Sequence, residues 1–347
     1  MTDSAPLSSP LSSLGMQYAW TRYLVWGGAS IAFCGIAAAV PWLTNFAVQR
    51  LLVEMFTLFA VALAWNLLAG YGGLVAIGQH AFVGIGAYSL FTLSNNFYIN
   101  PWVALPLATC SAALFALVFA WPMFRLSGAY FAVGTWVVAE LMRIAAINTE
   151  WLGAGGGMPL LAMGGFDRWT RNAGVYWAAL AVGGGSLIVA RMVLRGALGL
   201  ALTSMRDAES AALSCGVPVR RAKLALWLIA ASISGAAGAV AYMNTLQVTP
   251  DASFSLNWTA AAIFIAVLGG VGTLEGPLLG TIIYFTLRES FAGFGVWYFI
   301  GLGLLAIITM VAAPGGAWSL IARRWPIDPF GVRRLMPRAA ISKHDNQ

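Results

Sequence analysis

Residues 51–69 read LLVEMFTLFAVALAWNLLA, and Glu54 is the one charged side chain among them. A run of this length and composition matches the roughly 20 apolar residues that a helix needs to cross the ~30 Å hydrocarbon core of a bilayer. The whole chain has the same character, because 60% of its 347 residues are hydrophobic and 9% are charged. The sequence therefore predicts an integral membrane protein and excludes an ordinary soluble domain.

Apolar runs on both sides of this stretch repeat the pattern. They predict an all-α bundle of about ten transmembrane helices, in a range of about eight to ten, some of them broken or re-entrant. The predicted spans are residues 23–42, 51–69, 74–94, 102–124, 128–148, 173–194, 222–244, 256–271, 276–293 and 295–313. They form one transmembrane domain at 23–313, with a short N-terminal tail at 1–22 and a basic tail at 314–347.

The basic residues give the bundle a direction. Lys and Arg stay on the cytoplasmic side of membrane proteins, because translocating them is unfavourable. With the N-terminus in the cytoplasm, the cluster from Arg191 to Lys223 and the basic tail both fall on the cytoplasmic side. An even number of spans then places both termini in the cytoplasm. Topology thus explains the net charge of +7, and we expect no nucleic-acid partner.

The predicted cytoplasmic segment 195–222 carries the clearest local pattern. Residues 198–215 favour a helix, and Gly216 with Pro218 ends it. Its apolar residues recur at three- and four-residue spacing: Leu200, Ala201, Met205, Ala208, Ala212 and Leu213. Such a helix either lies on lipid headgroups or presents a face to a cytosolic partner, and the residues alone leave both interpretations open.

Glycine clusters at 70–86 and 268–280 interrupt the apolar spans. Glycine permits either close helix packing or a break in the helix where free backbone groups can meet a polar solute. For 70–86 both interpretations stay open. The residues predicted to lie along a substrate path are Asn66, Gly70, Gly72, Gly73, Gln79, His80, Gly84 and Gly86.

Five charged side chains lie in the outer halves of predicted spans: Glu54, Glu140, Arg143, Arg288 and Glu289. A charge in hydrocarbon costs at least about 2.5–3.5 kcal/mol, so these residues should face protein, water or each other. Glu140 and Arg143 are three residues apart and share one helix face, which favours a structural ion pair over a solute contact. Neither the cysteines nor the two histidines have the spacing of a metal site.

Four stretches in fixed order give the chain a family resemblance. They are NLLAGYGGLVAIGQHAFVGIGAY at 66–88, RLSGAYFAVGT at 125–135, MRDAESAALSCGVPVRRAKL at 205–224 and VLGGVGTLEGPLLG at 267–280. In these stretches, and broadly from residue 50 to 313, the chain resembles the M-type permease subunits of branched-chain amino-acid ABC importers. Glu275 departs from the pattern, because a neutral residue is more usual at that position.

The resemblance implies a permease in the bacterial inner membrane that works with several partners. These are a homologous second permease subunit, two cytosolic ATP-binding subunits and a soluble extracytoplasmic substrate-binding protein. The residues implied in coupling to the ATP-binding subunits are Arg206, Asp207, Glu209, Ala211, Ala212 and Gly216. The chain has no GxxxxGK[ST] loop, so we expect ATP-Mg on the partners, no cofactor here and no enzymatic activity of its own.

The expected solute is a branched-chain or other hydrophobic amino acid. The same importer architecture for urea or short amides is an alternative. A different class, an ATP-independent secondary transporter, would leave the 198–216 pattern unexplained. An intramembrane enzyme is disfavoured, because the spans contain no activated nucleophile or paired histidines. The predicted outer loop 149–172 either docks the binding protein or merely connects two spans.

Overall fold

The computed structural model describes residues 35, 37–291, 293, 296–313 and 315–324. The chain divides into two compact units, Met1–Asn45 and Phe46–Gln347. In the first unit residues 37–43 are helical, while the predicted tail 1–22 and most of the predicted span 23–42 lie outside the described residues. Of the predicted tail 314–347, residues 315–324 are described.

The second unit is a bundle of helices with one short strand pair, which confirms the predicted all-α fold class. Its α-helices are α1 (Phe46–Asn66), α2 (His80–Asn95), α3 (Pro101–Met123), α4 (Ala129–Ile147), α5 (Arg168–Arg195), α6 (Ala197–Asp207), α7 (Glu209–Ser214), α8 (Val219–Thr245), α9 (Pro250–Ser253), α10 (Leu256–Gly269), α11 (Gly276–Phe291), α12 (Val296–Ala312) and α13 (Gly316–Arg324). A π-helical turn at Leu67–Tyr71 continues α1, and 3-10 turns occupy Glu150–Leu152, Ala154–Gly156 and Leu161–Gly165. Strands β1 (Met158–Pro159) and β2 (Gln247–Val248) are antiparallel.

Each predicted span from 51–69 onward coincides with one helix. Within the described residues six helices are long and apolar enough to cross a membrane: Phe46–Tyr71, Pro101–Met123, Ala129–Ile147, Arg168–Arg195, Val219–Thr245 and Pro250–Gly269. A seventh span would come from Gly303–Val311 and Gly316–Arg324, which meet at 40°. Helices α2, α11 and α12 have 16, 16 and 17 residues and fall just short of that test. The total of about ten spans therefore stays a prediction.

Hydrogen bonds assign the helix ends to two opposite ends of the bundle. At one end, Arg206 of α6 contacts Gly70 in the turn after α1. At the other, the Asn95 side chain closing α2 donates to the Pro159 carbonyl beside β1, and Arg143 near the end of α4 pairs with Asp251 of α9. We call these the Arg206 end and the Asp251 end. Helix α2, about 24 Å long, begins in the middle of the bundle, where Gln79 bonds Ser234 of α8, and ends at the Asp251 end. The nonhelical residues 72–79 cover the distance from the Arg206 end to the start of α2.

Small residues let α2, α3 and α8 pack closely in the core. In α3, buried alanines recur every four residues and so line one helix face: Ala104, Ala108, Ala112, Ala116 and Ala120. A Cβ added to Gly235 of α8 would lie 2.3 Å from Ala112 Cβ, and one added to Gly86 of α2 would lie 2.0 Å from the Gly235 oxygen. Backbones this close maximise dispersion contacts, which drive helix association where no water is present.

Candidate functional site

Two helix breaks meet at the Arg206 end, and Asn66 joins them. The first is the π-helical turn Leu67–Tyr71 with the nonhelical residues that follow it; the second is the segment 270–275 between α10 and α11. The buried Asn66 side chain accepts a hydrogen bond from the Gly272 N–H at 2.8 Å and donates one to the Thr273 carbonyl at 2.7 Å. One amide group therefore satisfies a donor and an acceptor that the second break leaves outside a helix.

Glycine allows the two breaks to come so close together. A Cβ added to Gly70 would lie 2.5 Å from the Gly272 nitrogen, and Gly272 has a φ of +77°. A side chain is therefore excluded by backbone contact at position 70 and strained at position 272. Gly72 is restricted as well, since its Cβ would lie 2.4 Å from a Leu226 methyl carbon of α8, whereas Gly73 is exposed.

Side chains from α1 and α4 hold the nonhelical segment 72–79 in place. Trp65 Nε1 donates to the Ala76 carbonyl at 2.9 Å. Thr135 Oγ1 of α4 accepts from Ile77 N at 3.2 Å and from Gly78 N at 3.1 Å, so backbone amides outside any helix are paired. Position 78 has room for glycine and no larger residue, because a Cβ there would lie 1.8 Å from the Thr135 carbonyl oxygen. The irregular backbone at residues 76–79 is thus paired and largely covered by protein, as nonhelical backbone must be at membrane depth, whereas Gly73 and Val75 are exposed.

Gln79 and His80, at the start of α2, are both buried and bonded to other helices. Gln79 Nε2 donates to Ser234 Oγ of α8 at 2.8 Å, while Gln79 Oε1 has no hydrogen-bond partner among the described residues. The His80 backbone N–H donates to Thr259 Oγ1 of α10 at 3.1 Å, and the His80 ring Nδ1 lies 3.0 Å from the same oxygen. This pair of residues therefore ties α2 to α8 and α10.

The remaining predicted path residues, Gly84 and Gly86, lie inside α2. A Cβ on Gly84 would lie 2.3 Å from the Phe254 ring, and Gly86 faces Gly235. Of the eight predicted path residues, Asn66 and Gly70 are brought together with the second break, and all eight except Gly73 are buried. In this conformation their neighbours are protein groups, so direct contact with solute stays a prediction.

A narrow apolar crevice lies beside this backbone. Gly78 and Thr135 form part of its lining, and aromatic rings from α2, α3 and α8 form much of the rest: Phe82, Phe115, Phe119 and Trp227. Trp227 Nε1 donates to the Ala116 carbonyl, so the indole presents its apolar faces to its neighbours. The crevice measures about 10 Å³, which is room for roughly one water molecule, so in this conformation it is a packed contact between helices and does not hold a solute.

The predicted coupling segment differs from the single helix expected at 198–215. It forms two helices, α6 and α7, separated at Ala208, whose φ of −159° and ψ of 102° are extended. The predicted apolar face is also wrong in part. Leu200 and Leu213 are 52% and 57% exposed, whereas Leu202 and Met205 are buried against the bundle. The extended residue rotates α7 relative to α6, so one helical spacing does not apply across both and Leu213 leaves the expected face. Leu200 is exposed because residues two apart in α6 lie on roughly opposite faces, and it is Leu202 that faces the bundle.

The predicted coupling residues fall into three groups. Arg206 Nη1 donates to the Gly70 carbonyl at 2.9 Å, and Glu209 pairs with Lys223 of α8 at 2.6 Å. Ala212 is buried and Ala211 is exposed, while Asp207 is the last residue of α6. Gly216 ends the segment with a φ of +78° and open space where a Cβ would be. The segment is therefore joined both to the first break and to α8.

Four of the five predicted intramembrane charges are paired. Glu140 and Arg143 form the pair that their spacing favours, at 2.6 Å, and Arg143 also bonds Asp251 at 2.6 Å. Arg288 of α11 pairs with Glu54 of α1 through two hydrogen bonds, one of 2.9 Å between Nη2 and Oε2. Glu289 is exposed near the end of α11. Glu275, which departs from the family pattern, is buried at the start of α11.

Several side chains that bond the predicted residues, or the segment 72–79 between them, were not predicted from the sequence. They are Thr135, Ser234, Asp251 and Thr259. The available signal was a hydroxyl or carboxyl group within or next to an apolar span, since polar groups there mark contacts between helices. The spans contain many hydroxyl groups, and spacing alone does not say which of them reach another helix.

At the Asp251 end, the predicted outer loop 149–172 is folded onto the bundle. Pairing of β1 with β2 attaches the loop to the end of α8, and the Leu160 N–H donates to the Leu246 carbonyl at 2.9 Å. The Asn95 side chain bonds both the Pro159 carbonyl and the Leu161 N–H. Trp151 and Leu161 remain 63% and 72% exposed on this cap. The loop is therefore an ordered surface.

Comparisons with known proteins agree with this architecture. Residues 47–314 match the family described as "Branched-chain amino acid transport system / permease component". The chain is 31% identical to the high-affinity branched-chain amino acid transport system permease protein LivM of Escherichia coli K12, and the match covers 81% of this chain and 72% of that protein. The Salmonella typhimurium LivM protein matches to the same extent.

A more distant relative and a partial one extend the comparison. The probable branched-chain amino acid transport permease protein LivM of Methanocaldococcus jannaschii is 20% identical, over 80% of this chain and 94% of that protein. The ribose import permease protein RbsC of Bacillus subtilis is 32% identical, over 30% of this chain and 34% of its own. No solved structure matches the chain. With more than half of its length matched by the family model, the chain belongs to the family of permease components of branched-chain amino acid transport systems.

Proposed function

We propose that this chain is a transmembrane permease subunit of an ATP-driven ABC importer that moves branched-chain or other hydrophobic amino acids by alternating access. The observation that carries the proposal is the way in which α6 and α7 are attached. They lie between α5 and α8 at the Arg206 end, where both helix breaks also lie. A force applied to this pair of helices would act on the broken spans, where transporters bind their solutes.

The outward side of α6 and α7 is suited to a protein partner. Leu202, Met205 and Ala212 are buried against the bundle, and the Glu209–Lys223 ion pair joins α7 to α8. Leu200 and Leu213 remain exposed on the other side. Apolar side chains displayed on a firmly attached helix pair are typical of a surface that a second protein covers. We propose cytosolic ATP-binding subunits, two per assembly, as that partner, with ATP-Mg bound to them.

The same proposal assigns the remaining partners and the orientation. The Arg206 end, with the basic cluster from Arg191 to Lys223, faces the cytoplasm of a bacterial cell, and both chain termini lie on that side of the inner membrane. The Asp251 end faces outward, and its ordered cap with Trp151 and Leu161 exposed docks a soluble substrate-binding protein. A homologous second permease subunit completes the translocation path.

Reconstitution tests this function directly. The chain is placed in liposomes alone and, separately, with the copurifying subunits, ATP inside and the cognate binding protein outside. Uptake of leucine and of urea is followed in both preparations. We expect leucine uptake that requires ATP and all subunits, and no urea uptake above background. Leucine uptake by the chain alone without ATP would contradict the ATP-driven mechanism. ATP-dependent uptake of urea would show that the solute is urea and not a hydrophobic amino acid.

A further inference from the structure

We infer that Arg206 is a positioning residue that transmits movement of α6 to the two helix breaks, and that it does not act by binding the ATP-binding subunits. The inference rests on the proposed function, since it assumes that those subunits move α6. It concerns one hydrogen bond between a surface helix and backbone inside the bundle. That bond joins residues 136 positions apart.

The guanidinium group of Arg206 bonds to backbone in the first helix break. Its Nη1 donates to the Gly70 carbonyl at 2.9 Å in a partly buried bond, although the residue is exposed overall. Gly70 belongs to the π-helical turn, where the backbone no longer follows the regular α-helical pattern. A carbonyl in such a turn needs another donor, and a charged donor makes the stronger bond.

The same guanidinium group also lies beside the second break. A Cβ added to Gly272 would lie 3.0 Å from Arg206 Nη1 and 3.3 Å from the Gly70 oxygen. The Gly272 N–H is held by Asn66, which also holds Thr273. Arg206, the π-helical turn and the segment 270–275 therefore form one connected set of contacts.

Direction distinguishes this contact from the others that α6 makes. Leu202 and Met205 are buried through apolar contacts, which have no preferred direction and permit sliding. A hydrogen bond loses strength steeply when its angle or length changes. Displacement of α6 must therefore either break the Arg206 bond or carry Gly70 along with it. If Gly70 moves, Asn66 and Gly272 must move with it, because they are linked to Gly70. The Arg206 bond would then favour one of two arrangements of the helix breaks over the other, which coupling between two states requires.

The test compares three variants of the complete assembly with the wild type. Arg206→Met removes the donors and the charge but keeps a long side chain, while Arg206→Lys keeps a charged donor. Arg220→Met is the matched control, since Arg220 is an exposed arginine in the first turn of α8. Each assembly is measured for copurifying ATP-binding subunits, ATP hydrolysis and leucine uptake, from which the number of leucine molecules moved per ATP is obtained.

For Arg206→Met we expect normal subunit content and ATP hydrolysis but a fall of about tenfold or more in leucine moved per ATP, which lies within the usual range of coupling between sites. Arg206→Lys should recover part of this loss, and Arg220→Met should behave as the wild type. An unchanged ratio in Arg206→Met would overturn the inference. Loss of the ATP-binding subunits from that variant would overturn it too, because Arg206 would then act at the partner surface.

A labelling measurement follows the movement itself. Val75 lies in the segment after the π-helical turn and is 49% exposed. In a background with Cys34, Cys110 and Cys215 replaced by serine, Val75→Cys is labelled with a thiol reagent, with and without ATP. We expect ATP to change the labelling rate in the wild-type background and to have no effect with Arg206→Met. An equal ATP response in both would overturn the inference, whereas ATP-independent uptake by the wild type would overturn the proposed function instead.

Discussion

Asn66 is the residue on which the geometry of the second break depends most. Its two hydrogen bonds, to Gly272 and Thr273, cross more than 200 residues of sequence and are made by a side chain with 0% exposure. Sequence analysis placed Asn66 among possible solute contacts, because a polar residue in an apolar span marks either a function or a helix contact. Its partners could not be predicted, since nothing in the sequence pairs residue 66 with residues 272 and 273.

We expect Asn66→Ala to destabilise the bundle by about 1–3 kcal/mol, because it leaves the partly buried Gly272 N–H and Thr273 carbonyl without their partner. The measurement is thermal or denaturant unfolding of the detergent-solubilised protein. Asn96→Ala is the control, since Asn96 is an exposed residue that follows α2. If both variants unfold like the wild type, the Asn66 bonds do not stabilise the protein.

At the scale of elements, the sequence predicted which regions are helical better than it predicted how helices begin and break. The glycine cluster at 70–86 correctly indicated an interruption, but the predicted span 74–94 begins six residues before α2 does at His80. The segment 72–79 stays nonhelical because Thr135 and Trp65 pair its backbone groups, and neither contact has a signal in the segment itself. Likewise Ala208, an excellent helix former, is extended between α6 and α7, where the buried Ala212 and the Glu209–Lys223 ion pair attach α7 to the bundle.

Gly216 ends the α6–α7 segment with a left-handed backbone, and this permits a matched test. Gly216→Val should strain the turn by about 1–2 kcal/mol, because side chains disfavour this conformation. Since no atom lies within 4 Å of the added Cβ, the effect comes from the backbone alone. We expect reduced leucine uptake at normal expression for Gly216→Val and a smaller reduction for Gly216→Asn, which tolerates positive φ. Equal uptake by Gly216→Val and the wild type would show that this turn does not transmit coupling.

The cap at the Asp251 end depends on a close approach at Gly157. Its φ is +74°, and a Cβ there would lie 2.0 Å from the Val248 carbonyl oxygen. We expect Gly157→Val to separate β1 from β2 and to speed protease cleavage within residues 149–172 by about tenfold, because a loss of ~1.4 kcal/mol in local stability has that effect when opening is fast. Gly155→Val, where a Cβ meets no atom, should be cleaved like the wild type. Identical cleavage of both variants would mean that the strand pair does not hold the loop.

For the whole molecule, the apolar composition identifies an integral membrane protein, and the contacts between helices show which helix ends lie on the same side of the bundle. The family match at 47–314 covers nearly the extent, 50–313, that four stretches in fixed order predicted from the sequence. Contacts then distribute the helix ends: Gly70, Arg206 and Gly272 meet at one end, and Asn95, Arg143 and Asp251 lie at the other. Composition could not reveal this grouping. Because Gly70, Arg206 and Gly272 share one end, the chain must cross the membrane an even number of times between residues 71 and 197, and again between residues 207 and 270.

The orientation of the bundle and the number of its spans can be tested together. In intact cells of a variant without native cysteines, an impermeant thiol reagent should label Tyr98→Cys and Trp151→Cys but not Leu213→Cys, because the basic cluster keeps the Arg206 end inside. A reporter fused after Gln347 should share the side of Leu213, because four crossings, by α8, by α9 with α10, by α11 and by α12, separate them. Labelling of Leu213→Cys in intact cells would show that the bundle has the opposite orientation in the membrane. A reporter on the outer side, with Leu213 inside, would instead mean that α11 or α12 does not cross, and the total of about ten spans would fall by one.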